Sequence, residues 1–403
     1  MTKPTRKHLD VIYLYSTFYS ALQRAFVQEK HRYVFFLLCV VALFALSWWL
    51  KPLLQLPPAF PPQHLNLSEK NPNPFYLVAD IAAMPTKAVH AISVIAQDDN
   101  DLMAFWYGGT KEAKPDVALY QAHYLAEQNR WQTPQNIMDR FQVTKDTGRM
   151  TILIGNATAI KMQQRILLFF VSVGAGGWAA SSLNVTYSDD QGQSWSKVQR
   201  LISSPFLNIS TLVRNPPIRI NDNLIAIPAY HESLNEYSEI LWLNANGQLI
   251  NKTRVLSGMH AIQPVIFSRD NHITVLHRSM DLELPQVIAR SSETMMQNWN
   301  NVEVLDLPNS DSAMAGLELA NGQWLLAYNH AHELRQRMDL AISSGPHSNW
   351  SEPLNIEHNS EQNFAYPVLI QTTDGLIHLF YTVDRTHFRH IRFNQTWLEE
   401  NLP

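Results

Sequence analysis

Two kinds of position in this 403-residue chain gather side chains able to handle protons and anions. One kind opens apolar, strand-like runs: His90, Asn156, Arg214 with Asn215, Gln263, Asp311 and Tyr366. The other closes a second apolar run or lies in the loop after it: Trp106, Tyr107, Lys111, Glu112, Asp116, His231, Arg278, Asn329, His330 and Arg385. A phenol next to a base can act as a nucleophile or proton donor, and Tyr366 has that capacity beside His330 or Glu112. His90 and His330 are candidate acids or bases because imidazole titrates near neutrality. Arg278 follows a buried apolar run and needs an anion, supplied by a ligand or by Asp311. Amides and guanidiniums that read hydroxyls or a carboxylate, with aromatic faces such as Trp106 to stack on a ring, are the composition of a sugar site. Ordinary packing equally accounts for a tyrosine before a proline, and a solvated loop for Lys111, Glu112 and Asp116.

Repetition is what would bring such scattered residues together. A turn followed by an apolar strand recurs near Leu102, Ile166, Leu224, Ile273, Trp324 and Leu376, at spacings of 64, 58, 49, 51 and 52 residues. Another strand-like run precedes each copy, from His90, Thr151, Asn215, Ile262, Ala313 and Tyr366. A third strand follows, and in most copies a turn closed by tryptophan: Trp131, Trp195, Trp299, Trp350 and Trp397, with Leu249 in the weaker third copy. Six repeats of short strands without helical periodicity predict an all-β, six-bladed β-propeller. In a four-stranded blade the start of the innermost strand and the end of the next meet on one face, around the central channel. Both kinds of position above are therefore expected on that face.

Bulk properties narrow the function. Lysine and arginine total 31 against 35 acidic residues, so no basic field favours nucleic acid as a partner. Cys39 is the one cysteine, which excludes an intramolecular disulfide, and no HExxH or paired His-Cys spacing supports a metal site. No cofactor is implied. Residues 34–50 form an apolar run broken only by Ser47 and ending in Trp48 and Trp49, which predicts one transmembrane helix as a signal anchor. Lys3, Arg6, Lys7, Arg24, Lys30 and Arg32 outnumber Asp10 and Glu29 before it, so the N-terminus is expected in the cytoplasm and the propeller in the periplasm or outside the cell. The expected organisation is a cytoplasmic segment over 1–33, the anchor over 34–50, a proline-rich linker over 51–75 and the propeller over 76–403.

The second copy ends in SDDQGQSW, Ser188 to Trp195. It resembles the Asp-box, S-x-D-x-G-x-x-W, of sialidases and other bacterial-neuraminidase-repeat proteins, and similarity of this kind extends over about residues 88–393. The resemblance implies that Asp190, Gly192 and Trp195 mark the fold, on the face opposite the active site. It also implies that Tyr366 stands where these enzymes have a nucleophilic tyrosine, and Arg278 where they have one carboxylate-binding arginine. Gln263 falls at the position of the glutamate that activates the tyrosine, and an amide cannot take a proton from a phenol at neutral pH. His90 falls where the first arginine of the substrate-binding triad belongs, Asn329 and His330 near the third, and Glu112 and Asp116 in the loop of the acid aspartate.

Three functions follow as expectations. The first is an exo-glycosidase of the sialidase type that removes a terminal acidic sugar outside the cytoplasm. The second is a polysaccharide lyase in which His90 or His330, with Tyr366, moves protons beside a uronate neutralised by Arg278. The third is a glycan-binding propeller without catalysis.

Overall fold

The computed structural model describes residues 31–46, 60, 61, 65, 67 and 72–403, apart from 82–83, 204–209, 234–235 and 295. The chain divides into two units, ending and beginning at Leu56 and Pro57. In the first, residues 31–46 form a helix, and residues 47–50 of the expected anchor lie outside the described residues. Among the described residues no helix is long and apolar enough to cross a membrane.

The second unit is a propeller of six antiparallel sheets. The innermost strands are Ala88–Ala96, Leu153–Met162, Ile218–Asn221, Ala261–Arg269, Ala315–Glu318 and Phe364–Gln371. Each hairpins onto a more apolar second strand, buried on both faces. In Arg165–Val173, Ile166, Leu168 and Phe170 join the core shared with the first blade, and Leu167, Phe169 and Val171 the core shared with the third. Strict alternation along one strand thus serves two neighbours. Repeated around the ring, it produces six interblade cores.

Ring closure comes from the front of the domain. Tyr76–Asp80 pairs antiparallel with His387–Phe393 and becomes the outermost strand of the sixth blade. The tryptophan expected to close a turn there has a different place. Asn394 caps a helix, Gln395–Asn401, by accepting from the Trp397 N–H at 3.0 Å, and the indole packs on Tyr76 with ring centroids 4.4 Å apart. From the proline-rich stretch, Phe60 is buried against Trp242 of the third blade.

The Asp-box folds by local hydrogen bonding. The Ser188 hydroxyl accepts from Gly192 N–H at 2.7 Å, Asp190 accepts from Ser194 N–H at 2.9 Å, and the Trp195 indole donates to Gln121 of the first blade at 3.1 Å. Two further copies keep the turn without the aspartate. Ser292 accepts from Met296 N–H at 2.9 Å and Thr294 from Asn298 N–H at 2.9 Å before Trp299. Ser343 accepts from Gly345 N–H at 3.3 Å before Trp350. Gly192 has φ +84°, and a Cβ there would stand 2.1 Å from the Met103 methyl group. Gly192→Ala should therefore lower unfolding free energy by about 1–2 kcal/mol in urea titration.

Candidate active site

Pairing between the first and second strands breaks near the start of four innermost strands, between His90 and Ser93, Ile154 and Ala157, Ile262 and Val265, and Ala365 and Val368. Bulges of this kind re-aim side chains and are frequent next to active sites. Ala91, Gln263 and Tyr366 occupy equivalent places in them, at φ 52°, 52° and 58°. Such a conformation is uncommon outside glycine and clusters at functional positions. By register, Ala91 is the first-blade counterpart of Tyr366 and Gln263, and His90 stands one residue before it.

Tyr366 nevertheless meets His90 directly. Their rings are edge to face, with centroids 4.3 Å apart, and Tyr107 lies on His90 at 5.7 Å. His90 is 2% exposed, and among the described residues neither ring nitrogen has a hydrogen-bond partner. Burial first, then the charges of Arg385, Arg214, Arg335 and Arg278, hold its pKa well below 6.5, so the ring is neutral at pH 7. Arg214 lies under the Tyr366 ring, its guanidinium carbon 5.1 Å from the centroid. It donates to the carbonyls of Ile92 at 3.3 Å and Pro367 at 2.9 Å, which belong to the first- and sixth-blade bulges. Arg214 is fully buried and pulled down to about 10 by desolvation, so it stays charged. Rather than an open substrate contact, it is a bolt between two bulges.

A second chain of contacts runs from Tyr230 to Asp311. Gln263 donates to the Tyr230 hydroxyl at 3.3 Å and accepts from Arg278 at 3.2 Å, and Arg278 donates to Asp311 at 2.7 Å. Asp311 is thus the internal partner of Arg278. Arg335, in the loop after the fifth blade's second strand, donates to the Asp311 carbonyl. Its guanidinium is lowered by burial and by Arg278, and feels Tyr366 and Arg385 as well. Arg335 was not singled out in the sequence; its loop is rich in polar residues, and Asn329 and His330 lie closer to the strand end. On the opposite side Glu112 accepts from the Tyr107 hydroxyl at 3.1 Å and pairs with Arg385 at 2.9 Å. Glu232, also unmarked in the sequence, reaches solvent, yet surrounding protein raises its pKa, with Asp311 and Glu236 adding to the rise and Arg278 opposing it.

Several expected site residues have other work. Trp106 is completely buried between Tyr120 and Phe388 and offers no face to a sugar. Asn215 donates to the Gln263 and Pro264 carbonyls at 3.2 and 2.8 Å, fixing the fourth-blade bulge. Asn329 is buried and donates to the Phe364 carbonyl at 3.0 Å. His330 bonds to the Tyr328 hydroxyl at 2.7 Å and faces the groove between the fourth and fifth blades. Asp116 accepts from Thr110 N–H at 2.7 Å and from its hydroxyl, bonds that depress its pKa and keep it ionised, a poor acid. Lys111 is exposed in the same loop.

A BNR repeat-like domain matches residues 100–379. The chain belongs to that family. Among solved structures it is similar to the Hadza microbial sialidase Hz136, at 10% identity and a TM-score of 0.62 over 76% of this chain and 65% of that one. The NanB sialidase from Streptococcus pneumoniae is similar at 11% identity and 0.62, over 82% and 71%. A protein of unknown function from Dyadobacter fermentans matches at 12% identity and 0.62, over 79% and 97%. At these identities the likeness is one of fold. No curated protein sequence matches the chain.

Two outcomes follow for this BNR-family propeller. Arg214→Ala strands two bulge carbonyls and opens a void, and should cost about 3 kcal/mol in urea unfolding at pH 7. His90 and His277, the latter held near 4 mainly by burial, stay neutral when folded, whereas the unfolded chain takes up protons below about 6.5. Stability should then fall as pH drops below 6.5, by about 1.4 kcal/mol per pH unit for each ring until its folded pKa is reached. His90→Gln should make the slope between pH 7 and 5 shallower.

Proposed function

We propose that this protein is a glycan-acting enzyme, an exo-glycosidase that removes a terminal acidic sugar. The observation that carries the reading is the gathering of Arg278 and Arg335 at one half-buried phenol, Tyr366, on a strained bulge, with Arg385 next to Arg335 and to the His90 ring that meets the phenol. The guanidiniums receive the sugar's carboxylate in bidentate geometry. The Tyr366 oxygen attacks the anomeric carbon, the glycosidic C–O bond breaks, and the leaving oxygen takes a proton from the carboxyl group of Glu232, Glu112 being engaged by Arg385 and Tyr107. Water then releases the sugar from the tyrosine. Gln263 cannot accept the phenol's proton, whereas the neutral His90 ring beside Tyr366 has a lone pair free to take it once the sugar's bound carboxylate offsets the surrounding guanidinium charge.

That substitution of base also favours a second reading, β-elimination from a uronate, for which a His90–Tyr366 pair suffices without a carboxylate base. The full chain, incubated with sialylated and uronic-acid glycans, should release a sugar, and Tyr366→Phe should reduce the rate at least about a hundredfold. Products that absorb in the ultraviolet would replace hydrolysis with elimination. Glycan binding without any product would leave a recognition module and overturn both.

The anchor over 34–50 belongs to the same proposal, with the N-terminus cytoplasmic and the propeller periplasmic or extracellular. It is supported by the length of the apolar run and the basic residues before it. The chain should sediment with membranes, resist carbonate extraction, and lose its propeller to protease added from the outer side.

A further inference from the structure

The three Asp-box turns differ at the place where the second blade has Gly192. Met296 and His347 stand there in the fourth and fifth blades, at φ 64° and 61°. Met296 is explained by burial in the core between the third and fourth blades. His347 has no such explanation: it is exposed, and a non-glycine residue is strained in this conformation. Its imidazole points to a neighbouring blade instead. Nε2 of His347 lies 3.5 Å from Oε1 of Glu293, and its ring centroid lies 4.7 Å from that of His272. One ligand atom from each of His272, Glu293 and His347 lies within 4.8 Å of the others.

We propose that His272, Glu293 and His347 bind a divalent transition-metal ion, zinc by ligand type, which clips the fourth blade to the fifth on the face opposite Tyr366. Two imidazoles and one carboxylate suit zinc, with water as fourth ligand. The 3.5 Å edge matches a tetrahedron with bonds of ~2.1 Å, whose edges are ~3.4 Å; the remaining contacts shorten by rotation of two exposed side chains. His272 is already oriented. Its Nε2 bonds to the Thr274 hydroxyl at 2.9 Å, itself 3.1 Å from that of Ser291, which leaves Nδ1 to coordinate. The ligands come from three separate turns, so no spacing motif in the sequence marks them.

The test is zinc titration of the purified full chain by calorimetry, with cobalt absorption as a check on tetrahedral geometry. Wild type should bind zinc at this site and gain thermal stability from it. His347→Gly restores the residue that the second blade uses at this position, so it should fold as wild type does. It should also weaken zinc binding by more than about tenfold. Glu293→Gln, at an exposed position, should weaken it comparably. No zinc binding by wild type, or binding unchanged in both variants, would overturn the proposal.

Discussion

A guanidinium buried at the centre of the ring, bonded to backbone carbonyls rather than to a carboxylate, organises one face of this propeller. Arg214 reaches from the third blade to the first- and sixth-blade bulges, and so ties together the two blades at which the ring closes. Two carbonyl bonds offset only part of the cost of burying a charge. Because those partners are neutral carbonyls, the guanidinium keeps its charge and sets a positive potential beneath the Tyr366 ring. Neighbouring charges do not cancel it: Asp311 is paired with Arg278 and Glu112 with Arg385, while Arg335 bonds to a carbonyl. An anionic group placed over the phenol would be stabilised by cations already fixed in position, with little reorganisation.

The same network explains why an amide suits position 263. Gln263 accepts from Arg278 through its oxygen and donates to Tyr230 through its nitrogen, a pair of roles that a carboxylate cannot fill. Asn215 braces the adjacent backbone, and Asn156 adds a donor to the Tyr230 hydroxyl at 3.4 Å. Beside Tyr366, the His90 ring has no competing bond among the described residues.

Six blades were legible because each second strand carries a nearly unbroken apolar run, and turn residues separate the copies at similar intervals. Tyr366, His90, Gln263 and Arg278 were legible as neighbours because strand starts and strand ends converge in any blade. Trp106 misled because composition does not tell a buried aromatic face from an open one. Asp116 and Asn329 misled because loop and strand-end polar residues satisfy backbone as often as ligands. Arg335 escaped because a loop's path fixes its position, not a period. The turns before Trp299 and Trp350 were legible from their tryptophans, but not as Asp-box turns, because serine and threonine hydroxyls, or a glycine, replace the aspartate while the backbone keeps its shape.

Closure by Tyr76–Asp80 has a consequence for biosynthesis. Phe75 donates to Asn394, 319 residues further along, so the first of the described strands to be made is among the last to find its partner. Until the final hairpin leaves the ribosome, that strand and five finished blades wait with unpaired edges, the state in which chains of this size are most exposed to aggregation. A chain ending before the His387–Phe393 strand would leave not a smaller propeller but an open one.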